Sequence, residues 1–161
     1  MENIGEKIMN KFFQMAVDSA REGIEQGQTP FGACIEKDGK IISVAHNTVW
    51  RETDVTCHAE INAIRKACEK LGTIDLTGCE IYSTTEPCPM CFGAIYWSGI
   101  GKIHFGTKIE DAQAYGFNEL PVKNTLLKKY APKIRIYSGS EYVKASKELF
   151  ELWKNKNGKA Y

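Results

Sequence analysis

The chain has 161 residues, 43% of them hydrophobic and 25% charged, which fits one domain that builds its own core without a disulfide scaffold. Its formal net charge of +1 provides no global attraction to nucleic acid or to an anionic membrane. No apolar run approaches the roughly 20 residues of a membrane span, and MENIGEKIMNKFF is too charged and too short to resemble a signal peptide, so a cytoplasmic protein with no membrane partner is expected.

In chain order, EKIMNKFFQMAVDSAREGIEQG places Ile8, Phe12, Met15, Ser19 and Ile24 near helical spacing, and Gly27 and Pro30 stop that helix. FGACIEKDGKIISVAHN reads as two strands around Asp38-Gly39, a strong hairpin signal. TCHAEINAIRKACEKLG predicts a helix with Ile61, Ile64, Cys68 and Leu71 on one face and Gly72 as its stop. CEIYST is a short buried strand. EPCPMCFGAIYWSG then opens a second helix, whose first turn suits Pro87 and Pro89 because the missing N–H costs little there. KIHFG and KIRIYSG are the last two strands. EYVKASKELFELWKNK is a final amphipathic helix capped by Ser140. This alternation indicates one sheet with helices on both faces.

Six cysteines in a reducing compartment point to metal or redox chemistry rather than to disulfides. Cys88 and Cys91 lie in the first turn of one helix and His58 in the first turn of another, at the sheet edge where α/β sites collect. Helix N-termini favour thiolate. Three ligands of type His, Cys, Cys leave zinc one position for water, whose pKa it lowers to roughly 7. Glu60, two residues past His58, is a natural general acid/base. A redox CxxC pair is the rival reading, but Pro89-Met90 is atypical between redox cysteines. Cys57 can be nominated as a fourth ligand of a structural zinc, although a neighbour on a helix points about 100° away. Cys34, Cys68 and Cys79 read as small buried hydrophobes, and His46 and His104 as structural histidines. Residues 121–161 carry ten Lys/Arg against three Asp/Glu, a solvated face or a surface for an anionic partner.

CHAE followed by EPCPMC resembles the H-x-E…P-C-x-x-C signature of the zinc-dependent nucleobase deaminases in the cytidine deaminase superfamily. The resemblance runs over most of the chain, from TPFGACIEKDGKII to Tyr161. It implies a three-layer α/β/α fold with a five-stranded mixed sheet, formed by a single domain over residues 1–161. It implies Zn2+ held by His58, Cys88 and Cys91, with Glu60 as proton shuttle. The flanking GAIYWSGI and DAQAYGFNE resemble the bacterial guanine deaminases, which implies Glu119 as a second carboxylate and guanine as substrate. By the same resemblance Asn47 holds the purine edge, and Phe31, Ala59, Trp97 and Tyr161 contribute to the pocket. It further implies a homodimer in which the C-terminal helix and tail, from about residue 141, can exchange and close a partner's site. One departure is DVTCHAE, where the family often has Asp-Pro-Thr-Ala before the histidine. The alternatives are a cytosine deaminase, with a smaller pocket, or a tRNA adenosine-to-inosine deaminase, supported only by the basic C-terminal segment. A zinc-stabilised protein without activity would leave Glu60 no task.

Overall fold

The computed structural model describes residues 8–161. The first helix, α1 (Lys11–Glu25), begins later than its apolar spacing predicts. Asn10 caps it, its side chain accepting the N–H groups of Phe12 and Phe13, so Ile8 lies ahead of the helix and is exposed. The predicted start at Glu6-Lys7 lies outside the described residues. Strands β1 (Gly32–Lys37) and β2 (Lys40–His46) form the expected hairpin. Asp38 and Gly39 both take positive φ, 50° and 77°, as the tight turn between them requires.

A short helix, α2 (Val49–Glu52), leads to α3 (Ala59–Leu71), then β3 (Cys79–Thr85), α4 (Pro89–Ser98) and β4 (Lys102–Thr107). Two short helices, α5 (Ile109–Ala114) and α6 (Asn124–Leu127), precede β5 (Arg135–Ser138) and the long α7 (Ser140–Asn155). The five strands run β2-β1-β3-β4-β5. β1 is antiparallel to both neighbours, whereas β3, β4 and β5 are parallel, which makes the sheet mixed.

Alternation along the strands sends side chains to two cores. Ala33, Ile35, Ile81, Ile103 and Phe105 face α3 and α4, where Ala63, Ala67, Phe92 and Ile95 meet them. Cys34 and Tyr82 face the opposite side, against Phe13, Ala16 and Val17 of α1 and Leu149, Phe150 and Trp153 of α7. This is the expected three-layer α/β/α arrangement. Cys34 and Cys79 are buried within it and Cys68 packs at its margin.

Two helix readings change. α3 buries Ala59, Ala63 and Ala67, not the face of Ile61 and Leu71. The helix lies so close to the sheet that the Ser43 hydroxyl donates to the Ala63 carbonyl at 2.8 Å, and only small side chains fit that stripe. Ile64 and Cys68 pack at its margin, and Leu71 is exposed. The cap of α7 is Gly139, and Ser140 is the first helical residue, without a capping bond. The caps of α3 and α4 are His58 and Cys88, each in extended backbone, and Pro89 stands at the first position of α4. No helix among the described residues is long and apolar enough to cross a membrane.

Candidate metal centre and active site

One edge of the sheet gathers the site. Because β1 runs opposite to β2 and β3, the residue before β1 (Phe31), the residue after β2 (Asn47) and those after β3 (Glu86 to Cys88) all emerge there. The Asn47 N–H donates to the Phe31 carbonyl at 3.0 Å, which joins the first two. The Asn62 amide braces the 47–58 connection by donating to the carbonyl of His46 and the hydroxyl of Thr48. The pocket at this edge is lined by Phe31, Asn47, His58, Glu60, Thr85, Glu86, Cys88, Glu119 and Tyr161.

His58, Cys88 and Cys91 converge, with their ligand atoms all within 4.8 Å of one another. His58 Nδ1 lies 3.5 Å from Cys88 Sγ and 3.6 Å from Cys91 Sγ. A tetrahedral zinc with ordinary Zn–N and Zn–S bonds requires nitrogen–sulfur edges of about 3.5 Å, so the three donors fit that ion. They are the only such group among the described residues. Cys57 is buried elsewhere, its Sγ 3.5 Å from Arg65 Nη1, and takes no part.

The electrostatics suit a cation. The hydrogen bond from Cys91 lowers the Cys88 thiol to about 4 against the cost of burial, with His58 adding to the effect. Burial raises Cys91. The pair thus favours thiolate at Cys88 over Cys91, and metal binding requires both sulfurs as thiolates, so it releases protons. Burial lowers His58, but the Cys88 thiolate and the carboxylates of Glu60 and Glu119 outweigh it and raise the ring overall.

Glu60 is 7% exposed and sits in the first turn of α3. Burial raises its pKa, most strongly of all its causes. The Ser83 hydroxyl donates to Oε1 at 2.7 Å, and Oε2 lies 3.5 Å from Cys91 Sγ. A carboxyl so placed beside the triad can carry a proton. Glu119 reaches the same pocket from the segment after α5. Burial first, then the Cys88 thiolate, push it up to about 7. A cation in the triad counters the thiolate's part of that shift.

Asn47 is buried, and its Oδ1 accepts the Val49 N–H at 3.0 Å. That bond assigns the amide orientation and leaves Nδ2 as the donor. Nδ2 donates to the Tyr161 hydroxyl at 2.6 Å. The tail therefore covers the site of its own chain. Trp50 Nε1 donates to the Lys159 carbonyl, the Asn118 N–H donates to the Tyr161 main-chain oxygen, and the Tyr161 ring stands 5.9 Å from that of His58. Gly158 permits this path, because a Cβ there would meet Trp153 Nε1 at 2.1 Å.

Two expected pocket residues sit differently. Trp97 is 83% exposed on the outer side of α4 and does not line the pocket. That helix is apolar on every side, so spacing alone does not show which side faces inward; Cys91, Phe92 and Ile95 take the inner one. Ala59 is fully buried in the first turn of α3 and is not in the pocket wall. Thr85 and Glu86 do line it and carried no pattern that singled them out. His104 is a structural histidine as expected, bonded to Glu80 and stacked on Tyr82 and Tyr137. His46 is satisfied only at Nδ1, 3.4 Å from the Ser19 hydroxyl, while its buried Nε2 has no partner among the described residues.

A family model for the cytidine and deoxycytidylate deaminase zinc-binding region matches residues 6–107. The chain is 46% identical over 109 residues to a guanine deaminase of Bacillus subtilis (strain 168), covering 67% of this chain and 70% of that one. It is 48% identical over 94 residues to a tRNA-specific adenosine deaminase of Aquifex aeolicus (strain VF5), covering 58% of this chain and 62% of that one. The solved guanine deaminase from Nitrosomonas europaea superposes with a TM-score of 0.79 at 27% identity, covering 94% of this chain and 87% of that one. The matched stretch carries the whole His58, Cys88, Cys91 triad together with Glu60, in a geometry that fits zinc. The chain belongs to the cytidine and deoxycytidylate deaminase zinc-binding family, and is a zinc-dependent hydrolase that deaminates a nucleobase or nucleotide.

Proposed function

We propose that the protein hydrolyses guanine, as the free base, to xanthine and ammonia. The observation that carries this reading is the tail. Tyr161 stands beside the triad with its hydroxyl on Asn47, the residue we assign to the purine edge. A base embedded in RNA brings ribose and flanking nucleotides with it, and needs an open path into the pocket. The tail bars so bulky a substrate, whereas a small free base needs only that Tyr161 swing off Asn47 to admit it.

Bound zinc supplies a water activated at neutral pH. Glu60 takes one proton from that water's side of the pocket and delivers it to the ring nitrogen next to the reacting carbon. It then carries a second proton, from the hydroxyl now on that carbon, to the amino group, which leaves as ammonia when the C–N bond breaks. Burial raises its pKa above the ordinary carboxylate value, which favours proton uptake by the carboxyl. Ser83 holds Oε1 and so keeps Oε2 toward the reacting groups. Glu119 accepts a hydrogen bond from the substrate's amino group. Asn47 Nδ2 donates to the base once the Tyr161 hydroxyl yields it. Phe31, held edge-on by Phe117 at 4.9 Å, offers an aromatic wall.

The same reading includes a homodimer in the cytoplasm. α4 presents Met90, Tyr96 and Trp97 to solvent, an apolar face suited to a second copy. Exchange of the segment from about residue 141 would make the tail contacts between copies rather than within one. The test of the free-base reading is ammonia release from guanine by the intact chain and by a chain lacking residues 158–161. The shortened chain is expected to lose most of its guanine turnover while its melting temperature stays close to that of the intact chain. Unchanged turnover would remove the tail from the account.

A further inference from the structure

Glu86, two residues ahead of the ligand Cys88, is 6% exposed in the pocket wall, and the proposed chemistry gives it no proton to move. Both of its carboxylate oxygens are taken by main-chain donors. Oε1 accepts the Asn124 N–H at 2.8 Å and Oε2 accepts the Ile109 N–H at 3.3 Å. Ile109 is the first residue of α5 and Asn124 the first of α6. First-turn N–H groups have no partner within their helix and carry partial positive charge. One buried carboxylate therefore caps two helices at once. The Asn124 side chain adds a return bond, donating to the Pro87 carbonyl at 2.6 Å, and the Glu86 N–H donates to the Thr107 carbonyl at 2.7 Å.

Those two helices bracket the segment that carries Glu119. Residues 115–123 form no helix or strand, and within them the N–H groups of Glu119 and Val122 reach back only two residues, to the carbonyls of Phe117 and Leu120. The segment is held at its two ends, at the buried Phe117, by the Asn118 N–H on the Tyr161 main-chain oxygen, by Tyr115, which stacks on Phe150 and donates to Glu151, and by the Gln113 amide, which reaches the Glu119 carbonyl at 3.5 Å. Glu86 holds the start of the helix that leads into the segment, at Ile109, and the first residue after the segment, Asn124. From this arrangement we infer that Glu86 is a positioning residue: it ties the metal-ligand turn to the helix that precedes the Glu119 segment and to the residue that follows it, and so sets how Glu119 faces the triad. The inference rests on the role proposed above for Glu119.

A carboxylate is needed because it accepts at both oxygens. Glutamine keeps the shape but presents an N–H donor to one of the two N–H groups. The test is a cycle on the zinc-loaded protein: wild type, Glu86→Gln, Glu119→Gln and the double variant, each measured for guanine kcat and KM, zinc content and melting temperature. Glu86→Gln is expected to keep zinc near one per chain and to lower guanine kcat/KM by about 10- to 100-fold, mostly in kcat, the scale of a small misplacement of a reacting group. On the Glu119→Gln background the same change is expected to cost less than about threefold, because nothing is left to position. Equal cost on both backgrounds, zinc loss, or no loss of activity would overturn the inference and leave the Glu119 role standing. Full activity in Glu119→Gln would instead overturn that role and this inference with it.

If Glu86→Gln does not fold, Asn124→Pro compared with Asn124→Ala isolates one of the two bonds. Both remove the side-chain bond to Pro87, but only proline removes the N–H that Glu86 accepts. Proline suits the first helical position, and Lys123 at φ −72° and ψ 150° is already in the conformation that precedes it. The proline variant is expected to be about tenfold less active on guanine than the alanine variant. Equal activity would overturn the inference.

Discussion

Glu60→Gln keeps its zinc and its fold and loses turnover by at least about 10²–10⁴-fold, the range for removal of a general acid or base. The loss belongs at or beyond the upper end, since one side chain moves several protons in succession. Glutamine preserves the acceptor that the Ser83 hydroxyl uses at Oε1, so the packing around the 7% exposed side chain stays intact. Its new amide hydrogens face the Cys91 sulfur, where a thiolate accepts them. Zinc analysis and melting temperature verify the unchanged scaffold, and single-turnover ammonia release measures the loss. Activity within a few-fold of wild type would mean that another group carries the proton.

Cys91→Ser has the second large effect, and it falls on the metal. Cys91 is fully buried, and its Sγ is 3.6 Å from His58 Nδ1. A hydroxyl is a poor zinc ligand at neutral pH, and even residues that merely orient ligands cost about 10- to 100-fold in metal affinity when removed. Loss of a ligand exceeds that, so zinc per chain is expected to fall sharply and deamination with it. A buried hydroxyl left without a partner costs a further 1–3 kcal/mol or so of stability. Thermal melts with and without chelator separate the two effects. A ligand that binds only the folded state raises the melting temperature, so chelation is expected to lower that of the wild type and to leave Cys91→Ser unmoved. Undiminished zinc in the variant would remove Cys91 from the ligand set.

The parts of the site that sequence revealed are those whose chemistry imposes spacing. A three-ligand zinc with an adjacent acid needs few residues at fixed offsets, and CHAE with PCPMC is hard to place in any other context. The hairpin was equally plain, because Asp38-Gly39 supplies the two positive φ angles that the turn needs. Less legible were surfaces defined by tertiary contact. Apolar residues surround α4, so nothing local to it distinguishes buried Phe92 from exposed Trp97. α3 meets the sheet through alanines, which carry little hydrophobic signal next to Ile61 and Leu71. Glu86 gave no signal because its partners, the N–H groups of Ile109 and Asn124, are 23 and 38 residues away and belong to the main chain. Tyr161 could be placed by resemblance, but its bond to Asn47, 114 residues distant, is visible only in the folded chain.

The most direct measurement of the central claim is a steady-state comparison of ammonia release from guanine, cytosine and adenine, with inosine formation in tRNA assayed alongside, all on the zinc-loaded protein. The account predicts the highest kcat/KM for guanine, with that preference diminished in Glu119→Gln. Better turnover of cytosine or of tRNA adenosine than of guanine, with Glu119→Gln indifferent on all of them, would contradict it, leaving a zinc-dependent deaminase whose substrate is not guanine.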